Sequence, residues 1–427
     1  MRLPSLLSLS LSTALLALTA PVAIAPAAAA TPEETAAAAL KAAPMWDGHN
    51  DVPEQLRQRR KNVIAGFDFR DTTNTANPAE GEQAMHTDLA RLRQGKVGAQ
   101  FWSVYVSAGL SEQQAVQAVM EQIDVTKRLI AAYPADLQLA TSSAEVQQAM
   151  KAGRIASLMG MEGGYAIGSS LGVLRQFHAL GVRYMTLTHV KTIGWADSAT
   201  DVPKHGGLTD FGKDVVREMQ RIGMLVDLSH VSEGTMMDAL DVARAPVIFS
   251  HSGARAIGDH PRNVPDSVLA RVKANGGIVM VVTLPGYVSN RVRQWDLART
   301  AQKARLDALY VADPKRAADE LAAWTKANPA PRATLAELAD HVDHVVKVAG
   351  IDHVGLGADF DGMESTTEGL PDVSGYPALF VELARRGYSQ ADLQKIASGN
   401  MMRVLKAAEA YAAAHKADPA IESPTAF

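Results

Sequence analysis

The sequence predicts an α/β chain folded as a single (β/α)8 TIM barrel, with a helical insertion between strands 7 and 8. Three observations lead there. Short apolar runs recur along the chain, amphipathic stretches long enough for a crossover helix separate them, and ionisable residues sit where the runs end. The first two form the pattern of βαβ units in a parallel sheet. The third matches the C-terminal strand ends at which a parallel barrel assembles its chemistry.

In chain order the runs are MWDGHND from Met45, VGAQFWSVYV from Val97, IASLMGMEG from Ile155, YMTLTHV from Tyr184, MLVDLSH from Met224, PVIFSHS from Pro246, GIVMVVTLP from Gly277 and HVGLGADFDG from His353. They number eight, as a barrel requires. Between them EQQAVQAVMEQIDVTKRLIAAY, VLRQFHALG, LTDFGKDVVREMQRIG and VLARVKANG are patterned as helices, and several close on glycine, as a helix C-terminus prefers. The stretch from Tyr287 to Asp352 is rich in Ala, Arg, Lys and Asp and reads as a helical excursion from the barrel, not a second domain.

The ends of the chain read differently. Residues 1–30 carry an early cation at Arg2, a Leu/Ala-rich middle and a small-residue end with Ala-x-Ala sites, the make-up of a cleaved signal peptide. Pro21 and Pro26 interrupt the run and argue against a membrane anchor. Residues 31–44 are expected to form a lead-in segment, 45–415 the barrel and 416–427 a C-terminal tail. The mature chain is expected to be exported, periplasmic or secreted, with no membrane association.

A composition of 47% hydrophobic and 21% charged residues belongs to a folded globular chain. The formal charge is −4, and losing Arg2 with the leader takes it only to −5, too weak a bias to point to nucleic acid or an anionic membrane. Cysteine is absent. Disulfides and thiolate ligands are therefore excluded, and any metal must sit among His, Asp and Glu.

Six runs end in ionisable groups: His49 with Asp51, Glu162, His189, His230, His251, and Asp359 with Asp361. Each is ambiguous alone. His49 and Asp51 share one strand face, as many structural pairs do; Glu162 could cap a helix; His230 and His251 could be satisfied core histidines. Together they supply two imidazoles, an HxD pair and a carboxylate able to bridge, a donor set that suits two zinc ions with open positions for water. His86, His178, His205, His260, His341, His344, His353 and His415 lie elsewhere and read as surface or structural.

Seven motifs in fixed order carry a resemblance: DGHND at 47–51, GMEGG at 160–164, LTH at 187–189, GLTDFGKDVVREMQRIGMLVDLSHVS at 207–232, SHSGARAI at 250–257, HPRNVPD at 260–266 and GLGADFDG at 355–362. With them the chain resembles the membrane dipeptidase (renal dipeptidase) family, peptidase family M19, among the amidohydrolase-like metal-dependent hydrolase barrels. The resemblance implies a zinc dipeptidase with two Zn2+ per chain and a metal-bridging hydroxide as nucleophile. It implies that His49 and Asp51 bind the first zinc and His230 and His251 the second, with Glu162 bridging. It further implies that His189 faces the substrate carbonyl, Arg262 holds the C-terminal carboxylate of a dipeptide, Tyr287 contacts substrate and Asp359 is the acid/base carboxylate.

Some features depart from better-known members. Glu54 stands where many relatives carry tryptophan, and Pro285-Gly286 precede Tyr287. Without cysteine the disulfide-linked dimer of mammalian members cannot form, which leaves a homodimer without disulfides open. The tail DPAIESPTAF is short and polar, so their lipid anchor is not expected. Two other readings remain at this level. A related hydrolase could act on a lactone, cyclic amide or β-lactam, with the placement of Arg262 as discriminator. A non-catalytic secreted binding protein should have lost a ligand or Asp359.

Overall fold

The eight apolar runs each form a strand of one parallel sheet that closes on itself. A computed structural model of the chain describes Met1 and residues 30–422. The signal peptide read over residues 1–30 lies almost entirely outside the described residues. The strands are β1 (Met45–Asn50), β2 (Val97–Ser103), β3 (Leu137–Leu139), β4 (Ile155–Glu162), β5 (Val182–Thr186), β6 (Leu225–Asp227), β7 (Ile248–Phe249), β8 (Ile278–Val281) and β9 (Val354–Leu356). The ring runs β1-β2-β4-β5-β6-β7-β8-β9 and returns from β9 to β1. Unanticipated β3 stands outside it, pairing with Ile155–Ser157 at the start of β4, before β5 takes over that edge at Met159.

Strand alternation decides what fills the barrel. Trp46, Phe101, Leu158, Tyr184, Leu225, Ile248, Ile278 and Met280 form one buried cluster inside it. Their neighbours Met45, Trp102, Met159, Val226, Val279 and Val281 join the larger cluster beneath the helices. On β4 the inward row passes through Ala156, Leu158 and Gly160, and the next place on it is Glu162, so the period itself carries this carboxylate into the barrel mouth. His49 would fall off the equivalent row of β1. A bulge corrects this: Asp47 pairs with Gln100 and Asn50 with Trp102, so β1 spends one extra residue and turns His49 inward.

The helix Asn400–Ala414 sends Met401, Val404, Leu405 and Ala408 into the interior cluster. Asn400 and Arg403 bond to the carbonyls of Val354 and Gly276, at the starts of β9 and β8. That helix plugs the N-terminal end of the barrel and leaves the C-terminal end as the open one. The segments patterned as helices form Glu112–Ala132, Leu171–Ala179, Asp210–Ile222 and Asp266–Asn275. In the excursion, helices Asn290–Leu309 and Pro314–Ala327 bury only Val292, Leu306 and Ala317 between them, whereas Leu335–Ala349 buries Leu338, Ala339, Val342 and Val345 and leads back to β9. Among the described residues no helix is long and apolar enough to cross a membrane.

One glycine controls how closely two backbones approach below the mouth. A Cβ on Gly357, just after β9, would stand 1.7 Å from the carbonyl oxygen of Ser250, just after β7. Gly357→Ala is expected to destabilise the fold by about 3 kcal/mol through this overlap. Thermal unfolding checks it, and an unchanged midpoint would contradict the packing.

Candidate metal centre

Glu162, the last residue of β4, stands between two sets of side chains. Its Oε2 lies 3.5 Å from His49 Nε2, while its Oε1 lies 2.9 Å from His230 Nε2 and 3.3 Å from His251 Nε2. One oxygen faces each set. His49 Nε2 also lies 3.3 Å from Asp51 Oδ2 and 3.9 Å from Asp359 Oδ1. His189 is further out, its Nε2 3.9 Å from Glu162 Oε1 and its ring 4.2 Å from that of His230. His49, His189, His230 and His251 thus converge on one carboxylate, Asp51 and Asp359 face His49, and Asp361 turns to His86 instead.

Aiming them requires unusual backbone. His230, Asp359 and Asp361 adopt φ of 68°, 70° and 68°. This left-handed region costs a non-glycine residue about 1 kcal/mol or more, a strain that surrounding structure must hold in place.

The imidazoles are oriented from behind. Ser250 Oγ donates to Asp227 Oδ2 at 2.6 Å and lies 2.8 Å from His251 Nδ1. A hydroxyl that gives its proton to a carboxylate accepts from the imidazole, so His251 carries its proton on Nδ1 and turns the Nε2 lone pair toward Glu162. Asp227 is fixed in turn by the backbone N–H groups of Ser229 and Ser250 and by Thr186 Oγ1. His49 Nδ1 meets Tyr184 Oη at 2.8 Å. Asp47 accepts from Tyr376 Oη and from the N–H groups of His49 and Ala358, tying β1 to the loop that bears Asp359. Ser250→Ala is expected to weaken metal binding about 10- to 100-fold, the usual effect of losing such a support. Competition against a chelator of known affinity measures it, and an unaltered affinity would remove Ser250 from the arrangement.

The electrostatics favour neutral donors around a cation-seeking centre. Burial, with Arg262 and His189 adding to it, holds His230 well below the usual imidazole range. Burial and the nearby His49 do the same for His251. His49 differs: burial opposes its charge, yet Tyr184, Glu162 and Asp51 hold it well above that range. Glu162 is likewise disfavoured by burial, but the nearby His49 and His189 hold its carboxyl well below the ordinary carboxylate value. Burial raises Asp359 well above that value, and Asp51 and Glu162 add to the rise.

These residues fit a bound metal cation. The only ion-pair partners of Asp51, Glu162 and Asp359 among the described residues are histidines, so three buried carboxylates converge without a lysine or arginine. Such a concentration of buried negative charge is costly unless a cation joins it. His49 Nε2 and Asp51 Oδ1 are buried without hydrogen-bond partners. The donor atoms of His49, Glu162 and His251, of Glu162, His189 and His230, and of His49, Asp51 and Asp359 each lie within 4.8 Å of one another.

A cavity of about 590 Å3 opens over this cluster, lined by Asp51, Glu162, His189 and Asp359 and by Arg262 and Tyr287 on one wall. Arg262 is 1% exposed. It donates to Ser252 Oγ and to the carbonyl of His251, its Nε has no partner, and its Cζ lies 5.4 Å from the Tyr287 ring centre. Both acceptors are neutral. A buried guanidinium with no carboxylate partner among the described residues, on the wall of a cavity, is prepared for an anionic ligand. Residues 290–352 contribute nothing to the cavity lining.

Sequence reasoning missed several participants. His86, read as surface or structural, lines the cavity, where its backbone N–H donates to Asp361 Oδ1 and its Nδ1 accepts from the backbone N–H of Asp361. Tyr105 places its ring 4.6 Å from that of His189. Glu54 also lines the cavity, and burial together with Asp51 and Glu162 pushes its carboxyl up to about 8.

Residues 33–419 match the family model for membrane dipeptidase, peptidase family M19. The chain belongs to that family. Among M19 relatives it is similar to Dipeptidase tcpJ of Claviceps purpurea, 42% identical over 379 residues that cover 87% of this chain and 78% of that one. It is similar also to Dipeptidase 3 of Homo sapiens, 39% identical over 393 residues that cover 91% of this chain and 70% of the human protein. Of solved structures it is similar to the probable dipeptidase PvdM from Pseudomonas aeruginosa, with a TM-score of 0.74, 25% identity, and coverage of 89% of this chain and 99% of that one.

Proposed function

We propose that this M19 metallo-dipeptidase cleaves dipeptides with two zinc ions, the first held by His49 and Asp51, the second by His230 and His251, and both by Glu162. The observation that carries this reading is the division of Glu162, one oxygen toward His49 and the other toward His230 and His251. His189 lies further from Glu162 than either of those two histidines, which supports a place beside the substrate. Zinc is favoured by the imidazole and carboxylate donors. Metal bound to these residues would supply a water of lowered pKa and a polarised scissile carbonyl.

The chain's own residues supply the rest. Arg262 clamps the C-terminal carboxylate through two N–H groups, which fixes the distance from the end of the substrate to the bond that breaks. A longer peptide has no carboxylate at that spot. Tyr287 walls the clamp against water beside Arg262. His189 offers an N–H to the carbonyl oxygen as negative charge develops there. Asp359 Oδ1, raised in pKa by burial, holds the proton given up by water and passes it to the leaving amine. Asp359→Asn is expected to lower kcat about 10^3-fold with bound metal retained, and kinetics paired with metal analysis check both halves. The composition of residues 1–30 supports export, with the reaction taking place in the periplasm or outside the cell.

The test of the activity is a panel of dipeptides, with tripeptides and N-acyl dipeptides as controls, before and after chelation and zinc restoration. Cleavage of dipeptides alone, following the metal, is the expected result. Bound metal with no dipeptide cleaved would overturn the substrate class and turn attention to lactones and cyclic amides.

A further inference from the structure

Resting on that reading, we propose that Glu54 selects dipeptides whose N-terminal residue is cationic, lysine or arginine. Glu54 sits in the first turn of the helix Val52–Arg60, which begins directly after Asp51, and it lines the cavity over the metal cluster. Its loop follows β1, whereas Arg262 follows β7, and β8 and β9 separate the two around the ring. A dipeptide with its carboxylate on Arg262 and its scissile carbonyl at the cluster extends its N-terminal residue away from Arg262. That direction leads to the wall beside β1.

The wall carries carboxyl groups to which the described residues give little counter-charge, so a cation entering it favours their ionised form. The hydrogen bond made to the Glu54 carboxylate comes from the neutral amide of Gln58 at 2.6 Å, and among the described residues no lysine, arginine or histidine pairs with it. Asp361, 4% exposed, adds an Oδ2 with no partner in the same cavity. Glu364 lines its outer part, where Glu82 is already paired with Arg59 at 3.9 Å. Arg59, the other arginine on this lining, spends its guanidinium on the carbonyls of Gln83 and Thr75, the side chain of Gln55 and the carboxylate of Glu82. A lysine or arginine side chain entering here draws Glu54 into its ionised form and pairs with it, whereas an acidic side chain finds only further carboxyl groups.

The test is kcat/KM of the metal-loaded enzyme for Lys-Ala, Arg-Ala, Leu-Ala and Glu-Ala, measured for wild type, Glu54→Gln and Glu54→Lys. The expected wild-type preference for Lys-Ala and Arg-Ala over Leu-Ala is about tenfold, carried mainly by KM and narrowed by added salt. Glu54→Gln should collapse that ratio, and Glu54→Lys should favour Glu-Ala over Lys-Ala. Because each result is a ratio within one preparation, loss of folded protein cancels. A wild type indifferent to charge overturns the proposal, as does a Glu54→Gln variant that loses activity on all four peptides alike. Either outcome leaves the dipeptidase reading standing, whereas failure to cleave any dipeptide sinks both.

Discussion

Glu162→Gln is expected to reduce bound metal from two ions to one or none per chain and to lower dipeptide hydrolysis by about 10^4-fold, a barrier increase of about 5.5 kcal/mol. The substitution keeps the shape of the side chain and removes the charge that both halves of the cluster share. An amide offers one acceptor oxygen and turns its N–H groups toward His49 on one side or toward His230 and His251 on the other. The carboxylate reaches both sets at 3.5 Å or less. No other carboxylate is placed to take over, because Asp51 and Asp359 both face His49. Metal content per chain and turnover on a dipeptide decide the matter together. Two ions with undiminished turnover would show that Glu162 is not the shared ligand.

Arg262→Met is expected to cost about 10^3-fold in kcat/KM, close to 4 kcal/mol and within the range for removing one partner of a buried charge pair. The more telling readout is discrimination. Wild type should prefer a dipeptide strongly over its C-terminal amide, and the variant should treat the two alike. Stability should hold or rise, because Arg262 is buried against neutral acceptors and its removal strands no carboxylate. A preserved preference for the free carboxylate would move the clamp to another residue.

Much of this was legible in the sequence because a parallel barrel aligns its strand ends. Residues as distant as His49 and Asp359 were read as neighbours on that rule alone, and they stand 3.9 Å apart. The rule says nothing about which way a terminal residue points. His49 turns inward through the bulge in β1, and His230 and Asp359 through left-handed backbone, features that no apolar pattern records. Strand β3 escaped notice because Leu-Gln-Leu is too short to show a period. Asp227 gave a usable signal, since an acid within a buried strand needs donors around it. Tyr184 gave none, as its ring fills the core while its hydroxyl meets His49. Nor did His86, which lies in a loop far from any strand end in the sequence and yet lines the cavity beside Asp361.

The most direct test of the metal centre is a titration of metal-free protein with zinc, following dipeptide hydrolysis against ions bound per chain. A shared Glu162 between two sets of ligands predicts no turnover without metal, full turnover at two ions per chain, and loss on chelation. Full activity in the metal-free protein, or saturation of activity with a single ion bound, would contradict it.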